Sequence, residues 1–359
     1  MTAGIRVFCL LFGVTWGLIV HAADGPTELW ESSPHADSAS PSFTHWDDEG
    51  LIPGACAQCH SETGFMDYLG VDEAGADGPT AFKMDKDHVT GSVVGCQTCH
   101  HPKAESLDQV TFPSDVKITD IKSSATCMVC HQGRSSTSTV TNKVADLPED
   151  SVNSDLSFIN IHYRAAAATL LGSEVQGGFE YPSQSYAGRF THVDGFSECI
   201  DCHNPHSLTV EQASCAQCHQ QDALEDIRIG KTDFDGDSNI EEGIASEIMA
   251  IHTHLGNVIA EYARNVSKQA IIYDSHAYPY FFNDKNANTV VDENEAIYPN
   301  RYQSWTPRLL KAAYNYQFVA KDPGAYAHNP AYVTQLLFDS VNDIERSLSV
   351  EKNTFVRPK

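Results

Sequence analysis

Apolar residues recur at helical spacing mainly in the last third of the chain. From Glu241 to Arg264 the set Ile244, Ile248, Ile251, Leu255, Val258, Ile259 and Tyr262 makes one stripe, the pattern of an amphipathic helix. Thr306-Pro307 predicts the start of a second helix that runs through Phe318. Asn329-Pro330 predicts a third, with Val333, Leu336, Leu337, Val341, Ile344 and Leu348 on one face. Before about residue 225 such periodicity is weak. One stretch, Leu156 to Leu171, spaces Ile159, Tyr163, Ala166 and Leu170 as a helix would, behind a cap at Ser154 or Asp155. Around it lie short polar passages rich in Gly, Ser and Thr, such as residues 135 to 142. The pattern predicts a mainly α chain with many loops: a loop-rich region over 23–225 and a helical C-terminal region over 226–359.

Residues 1–22 stand apart. Arg6, a long apolar stretch and the small-residue exit at Val20-His21-Ala22 predict a secretory signal peptide. A retained membrane anchor is the other reading of so long an apolar run.

The cysteines change the meaning of the loop-rich region. The pattern Cys-x-x-Cys-His occurs five times, at Cys56-Cys59-His60, Cys96-Cys99-His100, Cys127-Cys130-His131, Cys199-Cys202-His203 and Cys215-Cys218-His219. These motifs use ten of the eleven cysteines; the eleventh, Cys9, lies in the leader. Disulfides have no need of a histidine after every second cysteine, and zinc needs paired clusters that supply four ligands. Haem c needs both parts, because two thiols bond its vinyl groups and the adjacent imidazole reaches the iron. Five covalently bound haem c groups are therefore expected, and much of the core of residues 23–225 is then porphyrin wrapped by loops. Long polar passages would otherwise suggest disorder.

A second imidazole on each iron would saturate it and leave electron transfer, whereas an open position permits chemistry. The chain has seventeen histidines, and five are in the motifs. The expected distal ligands are His45, His162, His192, His206 and His328. His206 lies between two attachment loops whose cysteine pairs begin sixteen residues apart, and His192 precedes Cys199 by seven residues. His45 follows Phe43 and precedes Trp46, His162 sits on the expected helix, and His328 stands before the Asn329-Pro330 helix start. His88 and His101 are reserves. His35 and His276 carry little signal.

Two acidic loops suggest a second cofactor. Asp233, Asp235, Asp237 and Asn239 alternate, with Glu242 to close the shell. In the second loop Asp284, Asn286, Asn288, the carbonyl of Val290, Asp292 and Glu295 follow the spacing of a twelve-residue calcium loop. In the first loop position twelve is Ile244, and in the second Thr289 stands where the sharp turn prefers glycine. Calcium is expected at both, in a structural role.

The formal net charge is −25, and loss of Arg6 with the leader makes it more negative still. Nucleic acid is excluded as a natural partner for such a polyanion. Redox proteins or extracellular electron acceptors fit it better.

The five motifs, together with "CHNPH", "WTPRLLKAAYNYQF" and "KDPGAYAHNP", resemble the multihaem cytochromes c related to cytochrome c nitrite reductase and hydroxylamine oxidoreductase. They are more similar to the exported multihaem cytochromes of metal-respiring bacteria. The resemblance implies distal roles for His192, His206 and His328, which match histidines of the nitrite reductases in place. There is also a departure: nitrite reductase has lysine in its catalytic haem motif, whereas all five motifs here end in histidine, and hydroxylamine oxidoreductase carries eight haems. The first expectation is therefore a periplasmic or extracellular pentahaem electron carrier with bis-histidine haems. Two alternatives stay open. One is an oxidoreductase with one open haem, acting on a small nitrogen or sulfur compound beside Arg134, Tyr163 or Arg164. The other is a homo-oligomer, a subunit of an extracellular cytochrome filament.

Overall fold

A computed structural model describes residues 25–71, 81–221 and 223–359. The leader expected over residues 1–22 lies outside them. Among the described residues no helix is long and apolar enough to cross a membrane.

The three helices expected near the C-terminus are present. Ile244–Asn265 buries Ile248, Ile251, Leu255, Val258, Ile259 and Tyr262, the predicted stripe. Pro307–Ala320 starts where Thr306 Oγ1 accepts the Leu309 N–H at 3.1 Å, and Pro330–Glu345 where Asn329 Oδ1 accepts that of Tyr332 at 3.1 Å. In both, proline holds the first helical position, where its missing N–H costs nothing. Leu348 lies beyond the third helix. The three pack on one another around Tyr262, Trp305, Tyr314, Phe318 and Tyr332, all of which are fully buried. Each side chain of this size contributes about 1.5–3 kcal/mol or more when removed from water.

The other described residues form short helices and three two-stranded antiparallel sheets. Leu51–Ile52 pairs with His88–Val89, Gln109–Thr111 with Lys117–Thr119, and Ile271–Tyr273 with Phe281–Asn283. Irregular segments of the cysteine-rich part lie across the C-terminal helices and satisfy their backbone groups there. Asn153 N–H donates to Trp305 O at 2.9 Å, and Ala187 N–H to Gln335 Oε1 at 2.7 Å. Buried Asn315 accepts from Phe179 N–H at 2.7 Å and donates to its carbonyl at 2.9 Å. One hydrophobic cluster consequently extends from Phe65 to Ile344.

The helix expected over Leu156 to Leu171 forms only at Ala166–Leu171. Upstream, other elements take the backbone groups that a helix would use internally. Ile161 O accepts from Arg134 N–H at 2.9 Å, Ile161 N–H donates to Gln317 Oε1 at 3.3 Å, and Arg164 N–H donates to Lys321 O at 3.0 Å. His162 and Arg164 adopt left-handed φ of 79° and 54°. Tertiary hydrogen bonds here override helical spacing.

Candidate functional site

The first three attachment motifs lie in helices, Gly54–His60, Cys96–His100 and Ser124–His131. The fourth spans Cys199–Cys202 with His203 directly after it, and the fifth begins at the end of Gln212–Cys215. Residues i, i+3 and i+4 of a helical turn share one face, so each turn presents two thiols and an imidazole together. None of the ten described cysteines pairs with another in a disulfide.

Each motif histidine faces one histidine from outside the motifs. The ring centroids are 5.8 Å apart for His60 and His162, and 6.1 Å for His100 and His206. They are 6.4 Å apart for His131 and His35, 6.4 Å for His203 and His328, and 5.9 Å for His219 and His192. Metal–nitrogen bonds run about 2.0–2.1 Å and a ring centroid lies about 1.1 Å from its own nitrogen, so imidazoles on opposite sides of one metal have centroids about 6.3 Å apart. The five observed separations bracket that figure. The residues present therefore fit five haems, each between two imidazoles.

Four of the five expected distal residues, His162, His192, His206 and His328, face motif histidines in this way. The fifth partner is His35, whose sequence context gave no indication of it. His45 packs edge-on against Trp46 at 4.7 Å, and Trp46 in turn packs against His60 at 5.2 Å. Aromatic company identified the neighbourhood of His60 but not the residue opposite it, since His162 holds that place. Reserve His88 is buried against Asp67 at 3.1 Å, and His101 Nδ1 accepts the Lys103 N–H at 3.2 Å.

Burial keeps several of these imidazoles neutral, the form that binds metal. Burial and then the neighbouring His131 push the pKa of His35 down to about 4; burial and then His60 do the same to His162. Burial also lowers His60 and His131. The far nitrogen of three rings is held by a fixed oxygen. His60 Nδ1 lies 2.6 Å from Ser42 O, His131 Nδ1 2.8 Å from Arg164 O, and His328 Nδ1 2.8 and 2.9 Å from the two oxygens of Asp322. Carbonyl and carboxylate oxygens accept, so each Nδ1 carries the proton and Nε2 keeps its lone pair.

The attachment loops adjoin one another in an order different from that of the sequence. Cys59 Sγ lies 3.9 Å from Val129 O and Cys130 Sγ 3.9 Å from Gln58 O, so the first and third loops each reach a carbonyl of the other. Cys199 N–H donates to Ser124 Oγ at 3.1 Å and ties the fourth loop to the third. Glu211 N–H, just ahead of the fifth motif, donates to Cys202 O at 2.9 Å, and His35, which faces His131, lines one cavity with Cys96, Cys99 and His100. The first loop thus adjoins the third, the third the fourth and the fourth the fifth, while the second stands beside the third.

Tyr163 and Arg134 lie near the His60–His162 pair: Tyr280 O–H donates to Tyr163 Oη at 2.8 Å, Lys321 Nζ sits 3.7 Å over the Tyr163 ring, and the charge of Arg134 lowers both histidines. Arg164 contributes its carbonyl, noted above, to His131.

Among the described residues the one group of three or more His, Cys, Asp and Glu donors within 4.8 Å of one another is Asp233, Asp235 and Asp237. No zinc-like set of thiolates and imidazoles is present among them. The Asp233 carboxylate accepts from Gly236 and Ser238 N–H at 2.6 and 2.8 Å, and Asp237 Oδ1 accepts from Asn239 N–H at 2.6 Å. In the second loop Asp284 accepts from Asn288 and Thr289 N–H at 3.2 and 2.9 Å, and Asp292 accepts from the Asn286 and Asn288 amides at 2.7 and 3.1 Å. Glu295, buried, accepts from Lys285 N–H at 2.7 Å. Both loops take left-handed φ at the fourth and sixth positions: Gly236 at 75° and Ser238 at 73°, Ala287 at 57° and Thr289 at 64°. Glu242 adds a buried carboxylate oxygen without a hydrogen bond, and burial, then Asp235 and Asp237, raise its pKa. Glu247, which the acidic pattern did not include, is fully buried; it pairs with Arg228 and accepts from Phe234 and Asp235 N–H. Its apolar-stripe helix hid it.

The chain is similar to polyheme cytochromes. It is 27% identical over 367 residues to the C-type polyheme cytochrome OmcC of Geobacter sulfurreducens, and 26% identical over 371 residues to OmcB of the same species. The alignments cover 86% of this chain but 45% and 46% of those proteins, so it spans about half the length of the curated relatives it matches. No family model and no solved structure matches it. The likeness supports a multihaem cytochrome c with covalently attached haem. It adds nothing to the resemblance to nitrite reductase and hydroxylamine oxidoreductase.

Proposed function

We propose that the chain is a pentahaem c-type cytochrome that relays electrons, with axial histidine pairs His60/His162, His100/His206, His131/His35, His203/His328 and His219/His192. The observation that carries this reading is that all five motif histidines have a partner at the spacing of a shared metal. Bound haem supplies a one-electron carrier whose iron needs no open position to exchange electrons with neighbouring haems. The chain's own residues do the rest. Paired cysteines anchor each group, imidazoles occupy both faces, and adjoining loops bring successive groups close. The route runs from the first loop through the third and fourth to the fifth, with the second as a branch at the third.

This arrangement favours relay over the oxidoreductase reading. Arg134 and Tyr163, which that reading set beside an open haem, lie near His60, and His162 faces His60 at 5.8 Å between ring centroids. Arg134 and Tyr163 then serve haem propionates and packing. The two acidic loops bind calcium in this reading and brace the segments that carry the C-terminal helices. The partners are redox proteins or extracellular acceptors, and the leader expected over residues 1–22 supports action outside the cytoplasm.

The test is mass spectrometry of the purified protein together with its low-temperature electron paramagnetic resonance spectrum. The polypeptide should carry the mass of five haems and show low-spin ferric signals unchanged by nitrite, hydroxylamine or carbon monoxide. Fewer haems, or a high-spin signal that responds to those ligands, contradicts the reading.

A further inference from the structure

We propose that Asp322 sets the reduction potential of the haem held between His203 and His328, making it more negative than those whose ligands bond neutral carbonyls. The inference rests on the pentahaem reading and goes beyond it by assigning a potential-setting residue.

Asp322 follows the Pro307–Ala320 helix, with its N–H donating to Val319 O at 3.2 Å. It is 3% exposed. Both its carboxylate oxygens lie on His328 Nδ1, at 2.8 and 2.9 Å, and Gly324 N–H donates to one of them at 3.2 Å. Gly324 closes the other side of the ring. A Cβ there would come within 2.8 Å of His328 Cε1, so the imidazole is gripped between the loop and the carboxylate. Its ring centroid lies 6.4 Å from that of His203.

A hydrogen bond to a buried anion is stronger than one to a carbonyl and draws the Nδ1 proton further from the ring. The imidazole gains negative character and becomes a more basic ligand. Such a ligand stabilises ferric over ferrous iron and lowers the potential. The contrast lies within the molecule: His60 and His131 give the same proton to the uncharged oxygens of Ser42 and Arg164. The other carboxylate near a motif histidine, Glu105, stands 3.8 Å from His100 Nδ1, and the two side chains are 60% and 61% exposed. At that distance, and in water, it has little effect.

The fourth attachment loop touches the third and neighbours the fifth. The site that Asp322 makes negative is thus interior to the route, and electrons rest on either side of it.

The test is a spectroelectrochemical titration of the haem-loaded wild type and of Asp322→Asn, each with its haem count taken by mass spectrometry. With five haems in both, one fifth of the absorbance change should move to higher potential in the variant. An unchanged titration overturns the proposal. Asp322→Glu keeps the charge and should titrate close to wild type; equal upward shifts in both variants would overturn it too, by showing that packing is the cause. A wild type with fewer than five haems defeats the underlying pentahaem reading instead.

Discussion

The imidazoles of His35 and His131 lie 6.4 Å apart with their planes tilted by 32°, although nearly a hundred residues separate them in sequence. His45, ten residues further along, touches Trp46 instead. The two histidines therefore make opposite predictions. Replacing His35 with alanine should turn one haem of five high-spin, seen as a new high-spin ferric signal of about one equivalent on paramagnetic resonance. Replacing His45 should leave all five low-spin. The reverse outcome would restore His45 as the ligand.

Calcium should stabilise the protein through the acidic loops. Adding it to chelator-treated protein is expected to raise the melting temperature in proportion to the logarithm of its concentration above Kd, as for any ligand of the folded state. Glu295→Gln and Asp233→Asn should each remove part of that gain. A melting curve indifferent to calcium would dismiss the metal and leave the loops as hydrogen-bonded acidic turns.

Gly64 tests the packing beneath the first motif. A Cβ at this position would lie 2.2 Å from Ala57 O and 2.7 Å from Ala57 Cβ, where Glu62–Tyr68 crosses Gly54–His60. Backbone cannot yield as a side-chain tip does. Gly64→Ala should cost about 1–3 kcal/mol or more, lowering the melting temperature by several degrees, and should disturb the His60 site. An unperturbed melting curve would mean the helices separate freely.

Glu180 gives the fold a pH dependence. Its carboxyl is pushed up to about 7 by burial, against a lesser, opposing hydrogen bond from Tyr332 O–H at 3.1 Å. The folded pKa exceeds the unfolded one, so its contribution is fully present below the unfolded pKa and is lost as pH rises through about 7. Glu180→Gln should therefore stabilise the protein relative to wild type at pH 8 and not at pH 4, as thermal melts at the two values will show. A difference independent of pH would place the effect in packing.

The C-terminal helices were legible because their signals are local: Tyr262 follows from spacing, and the starts at Thr306 and Asn329 follow from cap chemistry. The motifs were legible because covalent chemistry fixes their spacing. His192, His206 and His328 were singled out by proximity in the chain to a motif or a helix start, and each lies beside a motif histidine. His35 was not, because its closeness to His131 is created by folding alone. His162 was chosen for a helix that does not form there; the left-handed backbone at His162 and Arg164, stabilised by Gln317 and Lys321, directs the ring toward His60. Glu247 was missed because a carboxylate on a buried stripe looks like an interruption until Arg228 and the loop amides meet it.

The pairing of His203 with His328 bears on biogenesis. In the proposed pairing the fourth motif is made well over a hundred residues before the imidazole opposite it. That centre could then not be finished from the leading half alone, and a product truncated ahead of residue 328 should hold an unfinished cofactor in its middle.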